Sequence, residues 1–131
     1  MNRLIAKVSL VVRDYDEAID YYIHKLGFNL LEDVALSVGK RWVVVSPSPE
    51  SPTHLLLAKA KNADELAAVG NQTGGRVFLF LETDDFWRDY ERYKSVEIDF
   101  VESPRSEVYG DVVVFRDLYG NKWDLIGRRP V

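Results

Sequence analysis

Asp124 is the first residue on which a chemical function for this chain can hang. It lies in Lys122-Trp123-Asp124-Leu125-Ile126, where polar and apolar side chains alternate as in a half-buried strand. Trp123 and Leu125 then point to one sheet face and Lys122 and Asp124 to the other. A carboxylate on an otherwise apolar strand can ligate a cation, accept hydrogen bonds or hold a proton. Other reactive side chains are few. Of the two histidines, His24 belongs to a helical stretch and faces solvent, and His54 lies in a strand. There is no cysteine, which excludes disulfides and thiolate metal sites. The phosphate-loop, nucleophile-elbow and Rossmann patterns are absent. Asp84-Asp85 before Phe86-Trp87 reads as a helix start with acids placed for the dipole, and Tyr21 and Tyr22 read as structural helix residues.

The elements that position Asp124 follow from length and pattern. A chain of 131 residues with 47% hydrophobic content is expected to form one domain, 1–131, with a real core. No run approaches the roughly 20 apolar residues of a membrane span. The first residues lack the order of a signal peptide, so a cytoplasmic location and no membrane partner are expected. A net charge of −4 with scattered signs argues against a nucleic-acid surface.

In chain order, Leu4–Val12 is predicted as a strand with Val8, Leu10 and Val12 on one face and Lys7, Ser9 and Val11 on the other. Asp14 or Asp16 caps a helix to about Lys25, ended by Gly27. Strands follow at Phe28–Leu36, Arg41–Ser46 and Thr53–Ala58, with three prolines making 47–52 a loop. Asn62–Val69 reads as a short helix and Gly70–Gly75 as a polar connector. Arg76–Glu82 is an alternating strand, with Val77, Leu79 and Leu81 opposite Arg76, Phe78 and Phe80. Asp84 or Asp85 opens a helix through about Tyr93. Ile98–Val101 is a short strand and Glu102–Gly110 a loop. Val112–Phe115 and Lys122–Ile126 are strands joined by a turn at Asp117–Asn121, where Gly120 and Asn121 tolerate positive φ.

The two halves repeat. A single shift of the sequence lays Val8 on Val77, Leu10 on Leu79, Asp16 on Asp85 and Val43-Val44-Val45 on Val112-Val113-Val114. Each half, about 1–70 and 71–131, is strand–helix–strand–strand–strand, a unit that buries one sheet face under its helix and leaves the other open. The predicted fold is α+β: two tandem βαβββ modules forming a curved eight-stranded mixed sheet with a concave ligand cavity.

VSLVVRDYDEAIDYYIHKLGF, GGRVFLFLETDDFW and VVVFRDLYGNKWDLI together resemble the vicinal-oxygen-chelate superfamily of glyoxalases, bleomycin-resistance proteins and extradiol dioxygenases. The resemblance spans essentially the whole chain and implies the paired-module fold, a homodimer and a small-molecule ligand, but no particular reaction. It also implies a divalent metal held near the start of the first strand and on the fourth strand of each module. At those positions stand Lys7, Arg76, Leu55 or Leu56, and Asp124, of which only Asp124 is a usable ligand. No metal and no other cofactor are therefore expected.

Lys7 and Arg76, matched by the repeat, are expected to share a cavity with Asp124. Two readings stay open. Either the three form a buried ion network, or a spare cation binds a carboxylate, phosphate or enolate oxygen. Phe78 and Phe80 would then be the apolar wall, with Arg41 and Tyr109 reaching the rim. Trp42 and Trp123 could stack on a planar ligand, or be core. Two functions follow. One is a glyoxalase/bleomycin-resistance-like protein that binds a small anionic or aromatic molecule. The other is a glyoxalase-type lyase or isomerase, metal-independent or with an atypical metal site, in which Lys7 or Asp124 moves a proton and Arg76 steadies an oxyanion.

Overall fold

The computed structural model describes residues 1–129. The chain divides into two compact units, Met1–Val69 and a second beginning at Gly70. In the first, β1 (Lys7–Val12) leads into α1 (Tyr15–Asp20), followed by β2 (Asn29–Ser37), β3 (Lys40–Ser46), β4 (His54–Lys59) and α2 (Ala63–Ala68). Asp14 is the cap of α1: its carboxylate accepts the Glu17 N–H at 2.8 Å, satisfying one of the helix's orphan donors. One π turn, Tyr21–Lys25, extends the helix and buries both Tyr21 and Tyr22. It closes where Gly27 takes φ 75° and Phe28 N–H reaches back to the Tyr22 carbonyl at 2.8 Å, the wrap that a glycine at this place allows.

The strand order is β1-β4-β3-β2, with β1 parallel to β4 and the other neighbours antiparallel. Period-two alternation sorts the faces. Leu10, Val12, Val43, Val45, Leu55 and Leu57 are buried on the side of Ala18 and Tyr22, and they form the core of this unit. The opposite face carries Lys7, Ser9 and Val11 from β1, paired with His54, Leu56 and Ala58 from β4, and Trp42 and Val44 from β3.

The second unit repeats the plan with β5 (Val77–Glu82), α3 (Phe86–Ser95), β6 (Asp99–Phe100), β7 (Arg105–Glu107), β8 (Gly110–Arg116) and β9 (Lys122–Arg128). Its order is β5-β9-β8-β6, with β7 also on β8. Trp123, Leu125, Val113 and Phe115 are buried with Phe86 and Tyr93 of α3. Tyr93 meets Phe115 edge-on at 5.8 Å, and Phe115 stacks on Trp123 at 6.0 Å. The Asp117–Asn121 turn is tied by one buried carboxylate. Asp117 Oδ1 accepts the N–H groups of Tyr119, Gly120 and Asn121, and Oδ2 accepts Asn121 Nδ2 and Trp123 Nε1.

The eight expected strand positions are hydrogen-bonded as two sheets, of four and five strands. The extra strand corrects the reading of Glu102–Gly110 as a loop. Arg105, Ser106 and Glu107 pair with Val112, Asp111 and Gly110, so the second strand of this unit is present in two pieces. Charged and polar side chains on a half-exposed edge hid it, because only its backbone is engaged. No helix among the described residues is long and apolar enough to cross a membrane.

Candidate functional site

In the first unit the β3–β4 ladder pairs only Val43–Val45 with Leu55–Leu57, although β3 runs back to Lys40 and β4 on to Lys59. At this splayed end the Tyr15 hydroxyl accepts the Arg41 backbone N–H at 3.2 Å, in place of a strand partner. The Arg41 guanidinium lies 5.2 Å from the centre of the Tyr15 ring, donates to both Asp33 oxygens at 3.1 and 2.7 Å, and reaches Asp16 at 2.9 Å. Its hydrogen bonds, and secondarily its charge, hold the Asp33 carboxyl below the usual carboxylate range against the opposing effect of desolvation.

Beside this wedge opens a groove of about 700 Å³. Val11, Trp42, Leu56 and Ala58 give it an apolar floor, Leu36–Lys40 form one wall, and Lys59 and Lys61 stand at its other side with Glu65. Trp42 is half-buried, and its indole N–H donates to Glu32 at 3.1 Å, which fixes the ring while leaving its face to the groove. Lys61 lies 3.9 Å from Glu65. Such a surface, an aromatic plane and aliphatic floor bordered by ammonium groups, suits a flat molecule with an anionic substituent.

In the second unit Asp124 pairs with Phe80 on β5 and Val114 on β8, on the face away from the core. It is 8% exposed, and its Oδ1 has no hydrogen-bond partner. Burial raises its pKa above the ordinary carboxylate range. The nearby Arg105 opposes this and Glu102 adds to it. The Arg105 guanidinium is already engaged by Glu102 at 3.1 Å and by Glu107 at 2.5 Å.

The single shift that laid Lys7 on Arg76 does not describe the strands. The helix caps are Asp14 and Asp85, and counting back from each puts Leu10 with Leu81 and Lys7 with Phe78. The ladders agree: Ser9 pairs with Leu56 as Phe80 pairs with Asp124. Leu56, not Leu55, is thus the counterpart of Asp124, and Arg76 precedes β5 as an exposed residue. Lys7 is exposed at the head of β1. Phe78, at a register shift in β5, turns its ring edge-on to Trp123 at 6.3 Å. Phe80 is 64% exposed beside Asp124. Tyr109 is exposed at the tip of the β7–β8 hairpin, where its carbonyl accepts the Arg129 N–H at 2.9 Å. Arg41 does line the groove, with its guanidinium paired to Asp33 and Asp16. The charges acting on Asp124 are Arg105 and Glu102, not the expected Arg76.

For a divalent ion the chemistry of the donors is poor. Phe78 and Leu56 carry no donor atom, and an ammonium such as that of Lys7 has no lone pair. His54 Nε2 donates to the Ser51 carbonyl at 2.9 Å. No three His, Asp or Glu side chains come together among the described residues. Sequence reasoning left Trp42 open between a stacking platform and core, and missed Leu56, Lys59 and Lys61 as groove residues. The available signal was Val38-Gly39-Lys40, a turn that lets β3 begin beyond the reach of β4.

Residues 4–125 match the family model described as glyoxalase/bleomycin resistance protein/dioxygenase superfamily. A protein of Shewanella frigidimarina (strain NCIMB 400), itself uncharacterised, is 54% identical over 127 residues, covering 96% of this chain and 94% of that one. Among solved structures, UcmS2 is similar with a TM-score of 0.83 at 26% identity, over 96% of this chain and 98% of its own. TnmS3, an antibiotic binding protein from Streptomyces sp. CB03234, is similar with a TM-score of 0.78 at 26% identity, over 98% of both chains. By the extent of the family match and the paired βαβββ architecture, this chain belongs to the glyoxalase/bleomycin resistance protein/dioxygenase superfamily.

Proposed function

We propose that this protein is a small-molecule binding protein that sequesters a planar, anionic ligand in the groove of its first unit, without a metal ion. The observation that carries the reading is Trp42: a tryptophan on an apolar floor, held by Glu32 and open to a groove of about 700 Å³. Ligand sites are concave and mostly apolar with a few placed polar groups, and Lys40, Lys59 and Lys61 supply those groups. The likeness to TnmS3, which is an antibiotic binding protein, supports the same class of action. The test is calorimetric titration with anthraquinone-2-sulfonate, a flat aromatic anion. Saturable binding that weakens at least about tenfold in Trp42→Ala, equivalent to about 1.4 kcal/mol, supports the reading. Binding that the substitution leaves unchanged removes the groove from it.

A lyase or isomerase reading draws on one observation, the buried Asp124 with its raised proton affinity, a feature that suits a group passing a proton. Turnover of methylglyoxal with glutathione, followed with and without zinc, nickel and chelator, tests it. Chelator-sensitive turnover would replace sequestration by metal-dependent catalysis.

The homodimer belongs to the same proposal. Leu30, Leu31, Val34 and Leu36 are exposed along the edge strand β2, an apolar strand border of the kind that pairing covers. Light scattering at micromolar concentration giving the mass of one chain would remove this part.

A further inference from the structure

The face of the second sheet opposite Trp123 and Leu125 holds a group that the groove of the first unit leaves unexplained. Asp124 is more than nine-tenths buried, and its Oδ1 makes no hydrogen bond. Buried carboxylate oxygens are ordinarily satisfied, since an unsatisfied one keeps its full desolvation cost. The cation that acts on it, Arg105, makes its ion pairs with Glu102 and Glu107 instead. Glu102 is itself fixed, its Oε2 accepting the Val114 N–H at 3.0 Å, on the residue that pairs with Asp124. Arg105 and Glu102 act on Asp124 with opposite sign, so the charge of the carboxylate is left without a counter-ion in contact, and the position favours a further positive charge.

Phe80 is the direct neighbour of Asp124 on β5. Phe80 is 64% exposed and has no ring partner among the described residues. Its ring thus offers an accessible aromatic face next to the strand position of Asp124. A flat cation with two parallel N–H donors matches this pair of features: its donors meet the carboxylate and its plane lies on the ring.

We propose that Asp124 and Phe80 form a second binding site, specific for an organic cation of the amidinium or guanidinium class carried on an apolar or aromatic body. The chemistry is opposite in sign to that of the lysine-bordered groove. It also differs from a metal site, because it asks for two directed N–H donors and not for several converging oxygens.

The test is an NMR titration of the protein with benzamidine, with benzamide as the neutral analogue and benzoate as the anionic one. Saturable shifts at residues of β5, β8 and β9 with benzamidine, at least tenfold weaker with benzamide and absent with benzoate, support the site. Asp124→Asn abolishes the shifts and Phe80→Ala weakens them several-fold, each variant being checked for its fold by the dispersion of the same spectrum. Benzamidine that does not saturate, that shifts other surfaces, or that binds Asp124→Asn as well as the native protein overturns the proposal. Should Asp124→Asn fail to fold, undiminished binding to Phe80→Ala overturns it independently.

Discussion

The hydroxyl of Tyr15 stands in for a β-strand: it accepts the Arg41 N–H at 3.2 Å, at the point where the β3–β4 ladder has stopped. The ring below carries the Arg41 guanidinium at 5.2 Å, so one helix residue both accepts the Arg41 N–H and anchors the side chain that bridges to Asp33 and Asp16. The groove lies beside this separation.

Removing only that hydroxyl isolates its contribution. Tyr15→Phe keeps the ring and its cation–π contact but leaves a part-buried N–H without its acceptor, which costs about 1 kcal/mol. Urea unfolding is expected to show a lower midpoint with an unchanged slope. A midpoint equal to the native one would mean that the Arg41 N–H finds water at no cost.

Asp117 is the opposite case, a buried carboxylate whose oxygens accept five hydrogen bonds. Asp117→Ala leaves three turn N–H groups, the Asn121 amide and the Trp123 indole to be satisfied anew. A loss of about 3–5 kcal/mol is expected, read as a large fall in the urea midpoint together with loss of the near-ultraviolet signal of Trp123. A loss below about 1 kcal/mol would show that the turn is held by its backbone alone.

Asp124 should destabilise the protein at neutral pH. Its folded-state pKa is raised by burial, so the native state binds a proton more tightly than the unfolded chain does. The cost is full above the raised pKa and disappears as pH falls below the ordinary aspartate value. Asp124→Asn is therefore expected to raise stability by about 1 kcal/mol at pH 8, with the gain shrinking toward pH 3. Thermal melts of both proteins across that range check the sign. A gain that grows on acidification would contradict the burial argument.

Gly70 takes φ +76°, and a Cβ placed there would lie 2.0 Å from the Tyr119 carbonyl oxygen. Gly70→Ala combines a strained backbone with a clash against main chain, for an expected loss of about 2 kcal/mol or more. Gln72 N–H donates to Asn121 Oδ1 at 3.2 Å in the same region, so amide exchange at Gln72 should accelerate in the variant. Unchanged exchange and stability would show that the connector moves aside freely.

Local chemistry was enough to place most of the elements. Asp14, Asn62 and Asp85 cap helices because their short side chains reach the first N–H groups wherever they stand before a helix, and the Gly120-Asn121 turn declares itself in the same way. The βαβββ plan and the family likeness follow from alternation and order alone. Which residue lies opposite which does not follow, because a strand pattern repeats every two residues. A slip of two keeps every side chain on its face, and so Lys7 could be laid on Arg76 when its counterpart is Phe78. The splay that opens the groove at Trp42 is likewise a tertiary event, in which Tyr15 from a helix takes the hydrogen bond that a neighbouring strand would have made. Asp124 was visible as an oddity in the chain. That its Oδ1 lacks a partner, while Arg105 is taken by Glu102 and Glu107, was decided only when β7 paired with β8, since backbone pairing between segments of polar side chains leaves little trace in the sequence.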